Sequence, residues 1–247
     1  MARFYDSGLP TLEPDLNRND LKLRLDRVEG RIQAAIKRAG RDRSQITLVA
    51  VTKKFSAARI REGYQCGIRE FGENYVQEFA AKRSELQDLS DARFHLIGHL
   101  QSNKVNQAVR LFDLIETVDS VKLLERLDRA LEGMGRRVKV LLEVKLSNEP
   151  AKTGTEPAQL PAIIEAGTRS NHVEIAGLMT VPPWTEDAES SRPYFRALAQ
   201  LGAQYALPEL SMGMSNDFEV AIEEGATIVR VGTALFGARP KPAGADQ

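Results

Sequence analysis

Ile46-Thr47-Leu48-Val49-Ala50-Val51-Thr52-Lys53 is the stretch on which the fold turns. Side chains alternate across a strand, so Thr47, Val49 and Val51 share one face while Ile46, Leu48 and Ala50 share the other. Neither face is a solvent face. A strand of this kind is buried on both sides, as in a parallel sheet covered by helices. Outward from it, apolar β-branched runs recur at 69–74, 94–99, 114–119, 139–146, 173–181, 209–215 and 228–237. Helical spacing occupies 57–65, 75–86, 120–132, 157–166, 191–205 and 217–224. Ahead of the first strand, Leu21, Leu25, Val28, Ile32 and Ile36 recur at three- and four-residue steps. They predict one long amphipathic helix that Gly40 ends.

Eight strand–helix alternations without a break in composition predict an α/β fold, a closed (β/α)8 barrel. The alternative is an open doubly wound sheet, which would carry a glycine-rich dinucleotide fingerprint after its first strand. Here that strand leads into Thr52-Lys53-Lys54-Phe55-Ser56. The length, 247 residues, fits one barrel, and no low-complexity linker divides it. The expected organisation is a flexible lead-in over 1–16, a single barrel domain over 17–239 and a flexible tail over 240–247.

Lys plus Arg (34) balance Asp plus Glu (34), so no global field collects nucleic acid or an anionic membrane surface. No apolar run reaches membrane-spanning length, and the first residues lack a secretory apolar stretch. Cys66 is the only cysteine, which excludes an intramolecular disulfide and a cysteine-based zinc cage. These features predict a cytoplasmic protein.

In a barrel, chemistry gathers where strands end. Lys53 and Lys54 end the first strand, Glu73 and Asn74 the second, His99 the third and Asp119 the fourth. Lys145 lies near the end of the fifth, and Ser215 ends the seventh. A lysine carried by an apolar strand into a barrel mouth is partly desolvated, which lowers its pKa and frees the amine to attack a carbonyl. Strand parity does not choose between Lys53 and Lys54. Arg230 interrupts Ile228, Val229 and Val231, where a barrel interior normally takes a bulky aliphatic. It needs an acceptor or a stacked ring, as a structural ion pair or as a ligand contact. Gly232-Thr233 follow it, and Asn216 and Glu219 have the spacing of a helix N-cap pair. A helix start after strand seven and a glycine after strand eight together predict an anion site. His95 and His99 lie on one strand with no metal-site spacing and read as core or capping residues. Lys152-Thr153-Gly154 lacks the companion motifs of penicillin-binding enzymes and reads as chance. Trp184, after Pro182-Pro183, reads as loop packing.

Several longer stretches resemble the pyridoxal phosphate homeostasis protein family. They include Leu48-Val49-Ala50-Val51-Thr52-Lys53, Phe71-Gly72-Glu73-Asn74-Tyr75-Val76-Gln77-Glu78 and His95-Leu96-Ile97-Gly98-His99-Leu100-Gln101-Ser102-Asn103-Lys104. Gly177-Leu178-Met179, Leu210-Ser211-Met212-Gly213-Met214-Ser215 and Val229-Arg230-Val231-Gly232-Thr233-Ala234-Leu235-Phe236-Gly237-Ala238-Arg239 belong with them. The resemblance runs in order over 46–239. It implies a fold like the barrel domain of alanine racemase, with pyridoxal 5′-phosphate (PLP) as cofactor and Lys53 as its Schiff-base lysine. It further implies that Ser215, Gly232 and Thr233 hold the phosphate, that Arg230 faces the pyridine nitrogen and that Asn74 lies beside the ring. Thr52 stands where serine is also common in the family.

An arginine at the ring nitrogen disfavours ring protonation and leaves a weak electron sink. Racemases of this barrel type add a tyrosine from a partner subunit's further domain. Here the chain ends soon after the last expected strand, and no tyrosine follows Tyr205. The implied function is PLP and amino-acid homeostasis by a monomer that holds PLP, passes it to apo-enzymes and has no catalytic residues of its own. A PLP-dependent amino-acid racemase is the alternative. A third reading is a Schiff-base aldolase that uses Lys53 without PLP and holds a phosphorylated sugar in the same cradle.

Overall fold

The computed structural model describes residues 14–147, 149 and 152–237. Among these, parallel strands close into one barrel in sequence order. They are β1 (Thr47–Val51), β2 (Glu70–Glu73), β3 (Arg93–Leu96), β4 (Leu114–Val118), β5 (Val138–Glu143), β6 (Val173–Met179), β7 (Glu209–Ser211) and β8 (Ile228–Val231). The helices are α1 (Pro14–Ala39), α2 (Ala57–Gln65), α3 (Val76–Arg83), α4 (Val105–Leu111), α5 (Val121–Glu132), α6 (Leu160–Thr168), α7 (Arg192–Gln204), α8 (Phe218–Glu223) and α9 (Thr233–Phe236). Closure runs from Thr47 opposite Ile228 to Ala50 opposite Val231. That pairing excludes the open sheet.

The two apolar faces of β1 enter two different cores. Val49 packs inside the barrel with Leu114, Leu141, Ala176, Met179 and Ile228. Ala50 joins the outer layer between strands and helices, where Phe71, Phe79, Phe94 and Phe112 meet at ring separations of 4.6 to 5.8 Å. The stripe Leu21, Leu25, Val28, Ile32 and Ile36 is buried, and it lays α1 across α8 and α9. Gly40, at φ +63°, takes the left-handed position that ends the helix. Pro14 opens α1, so residues 14–16 of the expected lead-in are helical. Residues 1–13 and 238–247, which include the expected tail and Arg239, lie outside the described residues.

Several strands are shorter than their apolar runs. β7 stops at Ser211 because the chain turns at Gly213 (φ +91°), where a side chain would come within 2.6 Å of the Ala221 methyl group. β8 stops at Val231, and the apolar residues after Gly232 form α9 beneath α1. A short buried helix and a buried strand have the same apolar signature, so periodicity reads 228–237 as one strand. The seven-residue α4, which buries Val105, Ala108 and Val109, is absent from the sequence reading because about two turns are too short for helical spacing to stand out. No helix among the described residues is long and apolar enough to cross a membrane.

Candidate functional site

A cavity of about 390 Å³ opens at the mouth of the barrel and is lined by Lys53, Asn74, Ser215, Arg230, Gly232 and Thr233. The six residues that the resemblance assigned to the cofactor share this one space, whereas Lys54, Glu73, His99, Asp119 and Lys145, also picked out at strand ends, do not line it. Val51, Ile97 and Val181 supply apolar wall. Trp184 stands at the rim with 76% of its surface exposed, which corrects its reading as a packed loop residue.

Lys53 lies half-buried in the turn after β1. Lys54 follows at φ +66° with its side chain exposed, so the turn separates two lysines that strand parity could not. Lys82 of α3 clamps this turn. Its ammonium donates to the carbonyls of Thr52 (3.4 Å) and Phe55 (3.0 Å) and to Glu73 (2.8 Å) and Glu78 (2.9 Å). Glu78 also accepts the Lys54 N–H at 2.6 Å, and Glu73 accepts the Thr52 hydroxyl at 2.8 Å. Glu73 is thus engaged beneath the turn through Oε1, while its buried Oε2 has no hydrogen-bond partner among the described residues, and it does not line the cavity. Burial pushes its carboxyl above the ordinary range, with Lys82 pulling it back.

Arg230 is 4% exposed. One guanidinium nitrogen donates to the Thr180 carbonyl at 2.8 Å, and another donates to Ser211 Oγ at 2.6 Å. The Ser211 hydroxyl donates to Glu116 Oε2 at 2.5 Å. Glu116 Oε1 meets His95 Nδ1 at 2.6 Å, and His95 Nε2 meets Glu70 Oε2 at 2.7 Å. A line of polar groups thus crosses the barrel interior from Glu70 to Arg230. Burial alone would lower the His95 pKa, but hydrogen bonds to Glu116 and Glu70 outweigh it and raise it to about 9. The charges then alternate in sign along the line. Burial works to raise Glu116, yet His95 and then Arg230 hold it below the ordinary carboxylate range. Glu70, Glu116 and Ser211 went unnoticed in the sequence. The available signal was Glu116 itself, a carboxylate in the middle of a strand whose five residues are all buried. Such a charge needs a partner.

The anion site differs in detail from the expected one. Asp217, not Asn216, takes the cap position of α8 and accepts the Met214 N–H at 2.7 Å and the Ser191 hydroxyl at 2.9 Å. Asn216 turns to the Thr185 and Glu186 carbonyls, and Glu219 pairs with Arg31. The cap pair is not formed, because the helix starts one residue later than its sequence spacing suggested. Ser215 instead rests on the first turn of α9, its hydroxyl accepting the Gly232 and Ala234 N–H groups at 3.3 Å each. Ser215, Gly232 and Thr233 thus meet on one wall of the cavity, at the start of α9.

Asn74 brings a buried amide oxygen with no hydrogen-bond partner among the described residues. Gly98 backs it closely, since a side chain there would lie 2.3 Å from the Asn74 carbonyl. His99 sits 3.6 Å from Asp119, outside the main cavity, and together with Lys145 it lines an adjoining one. The main cavity combines a lysine amine, a buried guanidinium, an anion cradle and an unsatisfied acceptor. That set suits a flat anionic molecule that carries a carbonyl.

The chain matches the alanine racemase N-terminal domain over residues 23–240. The pyridoxal phosphate homeostasis protein of Aquifex aeolicus is 45% identical over 222 residues, which span 87% of this chain and 97% of that one. The Escherichia coli protein of the same name is 37% identical over 90% of this chain and 97% of its own length. PipY of Synechococcus elongatus, solved with PLP bound, superposes with a TM-score of 0.77 at 42% identity, covering 88% of this chain and 100% of that one. Alanine racemase of Clostridium difficile, at 12% identity and a TM-score of 0.67, shares the fold over 90% of this chain and 58% of its own. The chain belongs to the pyridoxal phosphate homeostasis protein family, built on the fold of the alanine racemase N-terminal domain.

Proposed function

We propose that this protein binds PLP in the main cavity and serves intracellular PLP and amino-acid homeostasis as a carrier. The observation that carries the reading is the convergence of Lys53, Arg230 and the Ser215–α9 cradle on one space. The residues fit the cofactor. Asn74 has an acceptor to satisfy, and the cradle presents backbone donors where a phosphate needs them. When bound, PLP supplies an aldehyde that condenses with a lysine amine and a ring that withdraws electrons from the captured carbon. Lys53 provides the amine. The hydroxyls of Ser215 and Thr233 and the N–H groups of Gly232 and Ala234 hold the phosphate, and Asn74 flanks the ring.

Arg230 would be the residue at the ring nitrogen and would disfavour a proton there, because two positive charges side by side repel. Glu116, through Ser211, holds that guanidinium in place. Besides Lys53 and Arg230, Asp217 is the titratable residue that lines the cavity among the described residues, and Ser191 and the Met214 N–H already occupy it. A second acid or base for racemisation is therefore missing from the wall, which favours holding over turnover. The reading keeps the single PLP-binding domain over 17–239, the cytoplasmic location, the monomeric state and transfer to apo-enzymes that the sequence led us to expect. The test is borohydride reduction of the purified yellow protein followed by peptide mapping. The adduct should lie on Lys53, and Lys53→Ala should abolish it. An adduct on Lys54, or colourless protein after incubation with PLP, would overturn the reading.

A further inference from the structure

A second cavity, of about 200 Å³, adjoins the first and shares Asn74, Ile97 and Val181 with it. Glu143, at the end of β5, lines this annex and is 5% exposed. One of its carboxylate oxygens accepts the Thr153 hydroxyl at 2.6 Å. The other, Oε2, is buried with no hydrogen-bond partner among the described residues. The buried Asn74 Oδ1, which belongs to a residue lining both cavities, is equally unpartnered. A buried acceptor left without a donor costs free energy, so two in one small space point to a ligand rich in N–H groups. An ammonium offers three donors and the charge that suits Glu143.

The annex also carries cations. Lys145 and Lys152 line it, and their nearest carboxylates, Glu156 and Glu149, stand at 3.7 and 3.8 Å. Those separations exceed direct hydrogen bonding, and although Lys152 also donates to the Pro182 carbonyl at 3.1 Å, each ammonium keeps donors for an anion. Gly154, at φ +111°, lets the loop bearing Lys152 and Thr153 fold tightly onto β5, with a would-be side chain 3.0 Å from the Glu143 carbonyl. Orphan acceptors and cations in one enclosure describe a receptor for a zwitterion.

We propose that the annex binds a free α-amino acid, its ammonium on Glu143 and Asn74 and its carboxylate on Lys145 and Lys152. The purpose of the site rests on the PLP reading above. Burial raises the Glu143 pKa, with Asp119 adding to the effect and Thr153, His99 and Arg230 opposing it. A proton lost from the bound ammonium to water leaves a neutral amine beside the main cavity. The neutral amine is the form that competes with Lys53 for a carbonyl. Amino-acid supply would then govern release of the cofactor from the main cavity.

Calorimetric titration of borohydride-reduced protein tests the site, because reduction caps Lys53 and leaves the annex as the place for a new ligand. The mass of the reduced protein reports PLP attachment separately, so a failure of the cofactor reading is distinguished from a failure of the annex. L-alanine should bind. Propionate and ethylamine, each lacking one charged group, should bind about tenfold more weakly or less, the loss expected for one charge-assisted hydrogen bond. Glu143→Gln should weaken L-alanine by a similar factor. Should that variant fail to fold, the three probes on the unsubstituted protein decide alone. Absence of L-alanine binding, or equal binding of L-alanine and propionate, overturns the proposal, as does unchanged affinity in a folded Glu143→Gln protein.

Discussion

Arg230 stands between two environments. On one side it lines the cavity, and on the other it is tied through Ser211 to Glu116 and His95. Burial lowers its pKa, and Glu116 is the foremost charge opposing that loss. Glu116→Gln should therefore act on both ends of the line. It strands His95 with one carboxylate and leaves the guanidinium without its counter-charge. Breaking a buried pair from one side costs about 3–5 kcal/mol, which urea denaturation would measure. His95→Gln should be costly as well, but the double variant should lose less than the sum of the two, since each change removes the other's unpaired charge. Additive losses would mean that the two groups are not energetically coupled.

Among the elements, α1 has a part in the site that its distance from the strand ends conceals. Its Arg31 donates to both oxygens of Glu219, at 3.2 and 2.6 Å, and to the Ser215 carbonyl at 3.4 Å. The guanidinium also lies 4.4 Å from the centre of the Phe218 ring. α1 thus holds α8 and the Ser215 loop against the barrel. The pair is partly exposed, so solvent screening limits its worth. With the ring contact, Arg31→Ala should cost about 1–2 kcal/mol. PLP should bind several-fold more weakly to that variant while pyridoxal, which lacks the phosphate, changes less. Arg38→Ala, which breaks a more exposed pair with Glu223, is the control and should leave the PLP-to-pyridoxal ratio unaltered.

For the molecule as a whole, the interior charge line ties stability to pH. His95 has its pKa raised from 6.5 to about 9 in the folded protein. A group raised on folding contributes stability that is fully present below its unfolded value and lost as pH rises through the folded one. The contribution of His95 should thus be complete below pH 6.5 and vanish between 6.5 and about 9. Within that window its slope approaches about 1.4 kcal/mol per pH unit. Chemical denaturation at several pH values, comparing the unsubstituted protein with His95→Gln, isolates this effect from the other titrating groups. A constant difference between the two proteins across the window would refute the raised pKa.

The sequence by itself determined the barrel, because a β1 apolar on both faces and the repeated strand–helix alternation leave little other way to bury the chain. It also determined α1 with its Gly40 stop, and it selected six of the residues that line the main cavity. Its reach ended wherever side chains distant in sequence had to meet. Periodicity could not tell Lys53 from Lys54, because the positive φ of Lys54 belongs to the turn and not to the strand. It extended β8 through α9, since a short buried helix can carry a strand's apolar signature, and it overlooked α4, which is too short for helical spacing to stand out. Only the closed barrel brings Glu70, His95, Glu116, Ser211 and Arg230 into one line from five different strands, and only the fold buries a Glu143 oxygen that has no hydrogen-bond partner among the described residues. Burial turns an ordinary residue into a site by removing the water that would otherwise answer its charge, and burial is a property of the tertiary structure.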